Sequence, residues 1–120
     1  MQGNERRREP RIHDEGVSLK LQSDGFDSIT HTLNISASGL YCKVDKEIPI
    51  MTRLKLMLML PDITKPGKPV KSIEIDGVVV RAHPVIIDGK TKHYDVAVFF
   101  DFIPPKSKEM INNYIARRPE

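Results

Sequence analysis

Apolar residues recur at every second position through most of the chain, and this period of two constrains the fold more than any other feature. The clearest run holds Leu54, Leu56, Leu58 and Leu60, separated by lysine and methionine. Because successive side chains of a β-strand point to opposite faces, such a run predicts a strand with a buried face. Further runs of this kind predict strands at residues 17–22, 29–36, 40–45, 73–82 and 94–100.

Period two also assigns faces within the second run. It places Ile29, Leu33 and Ile35 together on the inward face. It places the polar residues Asn34 and Ser36 side by side on the outward face. We therefore expect this strand to end in a polar shelf.

The run at 73–82 is less regular. Its apolar phase switches from Ile75 to Val78 and Val80, and Gly77 lies between them. A glycine at such a change of phase predicts a β-bulge. Beyond this run, we expect residues 84–89 to turn the chain, since they begin with proline and end with glycine.

The period changes at the end of the chain. Met110, Ile111, Tyr114 and Ile115 follow helical spacing and give one apolar stripe. The proline pair at 104–105 is compatible with a helix start. The pattern thus predicts six short strands and one C-terminal helix, and its closely spaced turns favour an antiparallel sandwich or small barrel over a parallel sheet.

Composition places the chain among soluble domains. Its 120 residues fit one domain, and a hydrophobic share of 39% with a net charge of only +3 excludes a disordered chain. No segment approaches the ~20 apolar residues of a membrane span. The charged N-terminus lacks the apolar run of a secretory signal, so we expect a cytoplasmic protein.

Residues that could support catalysis or metal binding are scattered. The four histidines lack metal-ligand spacing, and the single cysteine, Cys42, excludes a disulfide framework or a multi-cysteine zinc site. Cys42 falls on an inward face and is expected to be a small buried apolar residue. No glycine-rich phosphate loop precedes a helix. We therefore predict no enzyme, no catalytic residue, no metal and no cofactor.

Two features point to a binding function, and the first is the basic N-terminus. Residues 1–13 are polar and aperiodic, which predicts a flexible arm and not a strand. The arm carries Arg6, Arg7 and Arg11. Guanidinium groups bind phosphate oxygens bidentately and stack on bases. A solvated charged tail is the alternative explanation for such a run.

The second feature is the segment from Asn34 to Gly39, with the sequence NISASG. It would hold an amide and a hydroxyl side by side, followed by a glycine where the chain turns into the next strand. We expect Gly39 to adopt a positive φ, which glycine does without penalty. A solvated strand end with an ordinary turn is the alternative.

Together the two features resemble the PilZ domain family, bacterial receptors for cyclic di-GMP. That family is marked by an R-x-x-x-R arm and a D/N-x-S-x-x-G motif. Arg7 and Arg11 match the arm, and Asn34, Ser36 and Gly39 match the second motif. The resemblance covers nearly the whole chain. It implies a six-stranded antiparallel split β-barrel with a C-terminal helix over residues 14–120, preceded by the flexible arm.

The resemblance also implies roles for the site residues. Arg7 and Arg11 would grip the phosphates and stack on guanine. Arg6, just before the first motif arginine, would favour an intercalated ligand dimer. Ser36 would hydrogen-bond the ligand, and Gly39 would let it approach the backbone.

Asn34 is the rarer variant of a position usually held by aspartate. An aspartate accepts from both donors of a guanine edge, whereas the amide offers one acceptor group, so we expect weaker binding. The resemblance further implies that the arm orders on the ligand and signals to a downstream protein or through self-association, with which a homodimer is compatible. It implies no DNA or RNA partner.

Two other functions stay open. The first is a PilZ-like adaptor that works through protein contacts without the nucleotide. The second is a small barrel that binds RNA or DNA through the basic arm, which the absence of tryptophan and the few other aromatics disfavour.

Overall fold

The computed structural model describes residues 11–12, 17–23, 25–60 and 71–117. In this part of the chain the backbone forms seven β-strands and one helix. They are β1 (Arg11–Ile12), β2 (Ser18–Ser23), β3 (Phe26–Ser36), β4 (Gly39–Val44), β5 (Arg53–Leu60), β6 (Lys71–Ile87), β7 (Lys90–Phe102) and α1 (Pro105–Arg117).

Strands β2 to β7 form a closed antiparallel barrel. Their spatial order is β3-β2-β5-β6-β7-β4, and β4 pairs again with β3. Closure satisfies the strand edges that an open sheet would leave exposed. The predicted six-stranded antiparallel barrel with a C-terminal helix is confirmed.

The barrel interior is filled by the alternating apolar residues that period two predicts. Leu54, Leu56, Leu58 and Leu60 of β5 are all buried. The inward residues of β2, β4 and β7 are buried in the same way and belong to the same core.

Helix α1 supplies its apolar stripe to that core. Ile111, Tyr114 and Ile115 are buried in it, and Met110 packs at its margin. Pro105 is the first residue of the helix, where the missing N–H would have no intrahelical partner. Within the described ranges, no helix has the length and hydropathy needed to cross a membrane.

The predicted faces of β3 are wrong in its first half. Ile29 is 73% exposed, whereas Thr32 is fully buried. The register with β4 shifts between Thr32 and Asn34, which marks a bulge at Leu33. An extra residue reverses the alternation, so Ile35 returns to the interior and the segment after the bulge follows the predicted phase.

Strand β6 has the predicted register irregularity at Gly77, but its inward and outward positions do not exchange there as predicted. The register with β7 shifts between Asp76 and Gly77. The inward phase nevertheless continues through Gly77 to Val79, and Val80 is 47% exposed. A second shift follows between Val79 and Arg81, so the phase changes there instead.

The turn expected at residues 84–89 is shorter than predicted. Strand β6 continues to Ile87, and only Asp88 and Gly89 turn the chain. Both have positive φ, 53° and 77°, as a two-residue hairpin turn of type I′ requires. Pro84 is tolerated within β6 because this part of the strand pairs with β7 alone, β5 pairing only as far as Val78.

Two residues of the expected arm belong to the sheet. Arg11 and Ile12 pair antiparallel with Ser36 and Ile35 of β3. They pair with the last residues of β3, beyond the segment that pairs with β2, because the β2–β3 pairing ends at His31. Residues 1–10 and 13–16 lie outside the described residues, so the flexible arm stays a prediction.

The buried thiol of Cys42 gives a pH-dependent test of the core. Burial, with a smaller contribution from the Asp95 carboxylate, raises the pKa of Cys42 from 9.0 to about 12. The folded protein therefore keeps a proton that the unfolded chain loses above pH 9, so stability falls as the pH rises from about 9 to 12.

We expect the free energy of unfolding of the wild-type protein to fall by about 1–2 kcal/mol more than that of Cys42→Ala between pH 9 and 10.5. Denaturant unfolding at both pH values measures this difference, in which lysine and tyrosine titrations cancel. Equal pH slopes for the two proteins would show that the thiol titrates normally.

Candidate functional site

The second motif forms a tight hairpin between β3 and β4. Its two-residue loop is Ala37-Ser38, flanked by Ser36 and Gly39. The Ser36 hydroxyl donates to the Gly39 carbonyl at 3.4 Å and accepts from the Ser38 N–H at 3.2 Å. The two hydroxyls of Ser36 and Ser38 lie 3.2 Å apart. The motif serine therefore holds the hairpin closed.

Gly39 is required by a close approach of two strands. A Cβ at this position would lie 2.5 Å from the carbonyl oxygen of Val98 in β7, closer than any real Cβ contact. The predicted positive φ is wrong, because the glycines with positive φ in the described ranges are Gly25 and Gly89. The Phe100 N–H donates to the Ser38 carbonyl at 2.9 Å and fixes the loop to β7.

The expected polar shelf is only partly open. Asn34 lies on the outward face, half-buried, with Tyr41 as its partner on β4. Ser36 shares this face but is only 2% exposed. Asn34 is thus partly accessible from outside. The serine hydroxyl lies beneath the surface and shapes the hairpin.

The two sequence motifs meet at this hairpin. Arg11 of β1 is the direct backbone partner of Ser36 in β3. Paired residues of antiparallel strands have Cα atoms about 4.5–5.5 Å apart. The backbone of the second motif arginine is therefore held beside the motif serine. Arg6 and Arg7 lie outside the described residues, and their ligand roles stay predictions.

One residue beside the hairpin was missed in the sequence. Phe99 of β7 is the direct backbone partner of Gly39 and is 49% exposed. Period two does place it outward, between the inward Val98 and Phe100. Its position opposite Gly39 depends on strand register, which no local pattern of the sequence specifies.

The side chains of greatest chemical reactivity lie elsewhere. His93 and Asp95 form a hydrogen bond of 3.1 Å with each other on β7. Cys42 stays protonated in the core because burial raises its pKa. Across the described segments, no three side chains among histidine, cysteine, aspartate and glutamate are grouped to hold a metal. The hairpin and the adjacent β7 instead present the half-buried amide of Asn34 and the exposed ring of Phe99.

Comparison with known proteins agrees with this architecture. The model of the PilZ domain family matches residues 5–117. No curated protein matches the chain closely enough to count as a relative.

Solved structures share the fold at low sequence identity. The inhibitor of motility MotI/DgrA of Bacillus subtilis has a TM-score of 0.77 at 19% identity, over 93% of this chain and 50% of that one. MrkH of K. pneumonia, in complex with cyclic di-GMP, has a TM-score of 0.71 at 19% identity, over 92% and 51%. This chain thus spans about half the length of both proteins.

A third structure has a length closer to that of this chain. The PilZ domain of YcgR from Escherichia coli, solved with cyclic di-GMP, has a TM-score of 0.65 at 14% identity. The match covers 92% of this chain and 89% of that one. The similarity of all three structures lies in the fold.

The contact of Gly39 with β7 can be tested by substitution. Gly39→Ala should lower the free energy of unfolding by about 2–4 kcal/mol, because the new Cβ meets a backbone carbonyl that cannot move without opening the barrel. Gly25→Ala is the matched control, since nothing lies within 4 Å of its Cβ and only its φ of 70° is unfavourable. It should cost about 1 kcal/mol. Equal losses in denaturant unfolding would contradict the close approach.

Proposed function

The chain belongs to the PilZ domain family, and we propose that it is a receptor for cyclic di-GMP that signals to a separate protein. The observation that carries this proposal is the pairing of Arg11 with Ser36, which joins the two motifs. Without it, the arginines and the polar hairpin would be two unrelated surface features.

The chemistry of the ligand suits the residues of this site. Cyclic di-GMP presents two phosphodiester anions and two guanine bases. Arginine binds phosphate oxygens through a planar fork of donors, and its flat face stacks on a base. The half-buried amide of Asn34 is a polar group of the kind that hydrogen-bonds a guanine edge. Arg7, Arg11 and Asn34 thus account for both parts of the ligand.

Ser36 and Gly39 contribute in a different way from what their motif suggests. Ser36 closes the hairpin, and Gly39 brings β4 against β7. Both therefore position the surface on which the ligand rests, and Gly39 leaves that surface bare of a side chain. Arg6 would stack on a further guanine when two ligand molecules intercalate.

Binding would order the arm. The arm loses conformational freedom when it docks, so the arginine contacts must exceed that cost. Once docked, residues 1–13 form a new surface that a bacterial, cytoplasmic partner protein can recognise. Of the structural neighbours, MrkH is described as a cyclic di-GMP dependent transcription regulatory factor and MotI/DgrA as an inhibitor of motility, and each thus couples this fold to an output.

The arm arginines can be tested by calorimetric titration with cyclic di-GMP. Arg7→Ala and Arg11→Ala should each weaken binding about 10- to 100-fold, because each removes charge-assisted hydrogen bonds to phosphate. Arg8→Ala is the matched control, since it removes the same charge from the same arm outside the motif. Its affinity should stay within about threefold of the wild type.

The same titration separates the receptor from the alternative adaptor. No heat from the wild-type protein at about 100 μM ligand would reject the receptor function and favour an adaptor. Any remaining binding would then have a dissociation constant near the millimolar range. Equal losses in all three arginine variants would instead indicate general electrostatic attraction without a defined site.

The amide at position 34 gives a gain-of-affinity test. Asn34→Asp should strengthen binding about tenfold, because a carboxylate accepts from both donors of the guanine edge in charge-assisted hydrogen bonds. Asn113→Asp makes the same change at an exposed position of α1 and should leave the affinity unchanged. Unchanged or weaker binding by Asn34→Asp would show that this residue does not face the base.

A further inference from the structure

A continuous row of backbone partners crosses the barrel surface at the hairpin. Gly39 of β4 pairs with Phe99 of β7, and Phe99 pairs in turn with Val78 of β6. On the other side, Ser36 faces Gly39 across the closed hairpin and Arg11 pairs with Ser36. The exposed ring of Phe99 is therefore in line with both sequence motifs.

The row of side chains is interrupted at Gly39. This residue has no side chain, and the 2.5 Å approach to the Val98 carbonyl excludes one. Because neighbouring strands lie about 4.8 Å apart, the backbones of Ser36 and Phe99 are separated by roughly 10 Å. Stacked aromatic carbons lie about 3.5–4.0 Å apart, so a planar ring stacked on Phe99 could extend over Gly39 without meeting a side chain there.

The backbone of Phe99 is held firmly although its side chain is exposed. Its neighbours Val98 and Phe100 are buried in the core, and the Phe100 N–H is bonded to the Ser38 carbonyl. The outward side chain on its other flank, Val78, is largely covered at 9% exposure. Phe99 thus presents a half-exposed phenyl ring from a firmly held backbone that is paired with the glycine.

We propose that Phe99 is the aromatic wall of the ligand site and that a guanine base of cyclic di-GMP stacks on its ring. This inference rests on the proposed function and adds to it a contact outside both sequence motifs. Stacking on a phenyl ring recognises the flat face of a purine and is insensitive to the groups at its edge. Asn34 would then hydrogen-bond the edge of the base, while the ring of Phe99 stacks on its face.

The wall extends onto the next strand. Val80 is 47% exposed and lies in the β6 bulge between Val79 and Arg81, next to the segment that pairs with Phe99. Alternation already places Val80 outward after the inward Val79, and the bulge changes the phase only beyond it. An apolar surface at this place suits the face of a base and does not suit a phosphate, so the phosphates belong toward the edge of β3 where Arg11 pairs.

Substitution of Phe99 tests the wall by affinity. Phe99→Ala should weaken cyclic di-GMP binding about tenfold in calorimetry, and Phe99→Tyr, which keeps the ring, should stay within about threefold of the wild type. Phe102→Ala is the matched control, because Phe102 is 61% exposed on the same strand but pairs with Asp76, away from Gly39. Its affinity should not change. Thermal unfolding without ligand verifies that each variant is folded.

A spectroscopic test is available because the chain contains no tryptophan. In Phe99→Trp the single indole would stack on the base, so its fluorescence should be quenched as ligand is added. The dissociation constant from this quenching should equal the one measured by calorimetry for the same variant. Phe102→Trp should show no such quenching.

The outcomes separate this inference from the proposed function. If Phe99→Ala binds like the wild type and Phe99→Trp emission is unmoved while calorimetry reaches saturation, the receptor stands and the aromatic wall is overturned. Equal weakening by Phe99→Ala and Phe102→Ala also overturns the wall. No heat from the wild-type protein overturns the receptor and the wall together.

Discussion

The close approach of β4 to β7 at Gly39 is the constraint on which the rest of this structure depends. The barrel closes only because β4 pairs with β3 on one side and with β7 on the other. At Gly39 the two strands approach so closely that the Val98 carbonyl occupies the place of a side chain. The backbone hydrogen bond from Phe100 to Ser38 secures the same junction. The contacts that close the barrel therefore also shape the hairpin at which we propose the binding site.

Because of this constraint, the motif residues fall into two groups with different roles. Ser36 and Gly39 act mainly on the protein, since the hydroxyl closes the hairpin and the glycine admits β7. In our proposal, Asn34 and the arm arginines are the residues that contact the ligand. A short motif can thus combine residues that shape a surface with residues that bind a ligand on it. Substitutions of the shaping residues would lower the stability of the fold as well as the affinity.

The sequence predicted the architecture well because period two is a direct consequence of strand geometry. The inward leucines of β5 and the stripe of α1 are where the pattern places them. It failed where local register departs from strict alternation. Ile29 is exposed because a bulge at Leu33 reverses the phase of β3, and nothing in the local sequence marks that extra residue. The predicted site lacked Phe99 for the same reason, because its pairing with Gly39 depends on the register of two strands that are distant in sequence.

The short strand β1 has a consequence for how the arm finds its target. Arg11 and Ile12 fasten the arm to the barrel at the edge of the hairpin. Arg7 precedes Arg11 by four residues, and four residues of fully extended chain span at most about 14 Å. If the proposed receptor function holds, a nucleotide at the hairpin would therefore meet the first motif arginine at a high effective concentration, as in an intramolecular reaction.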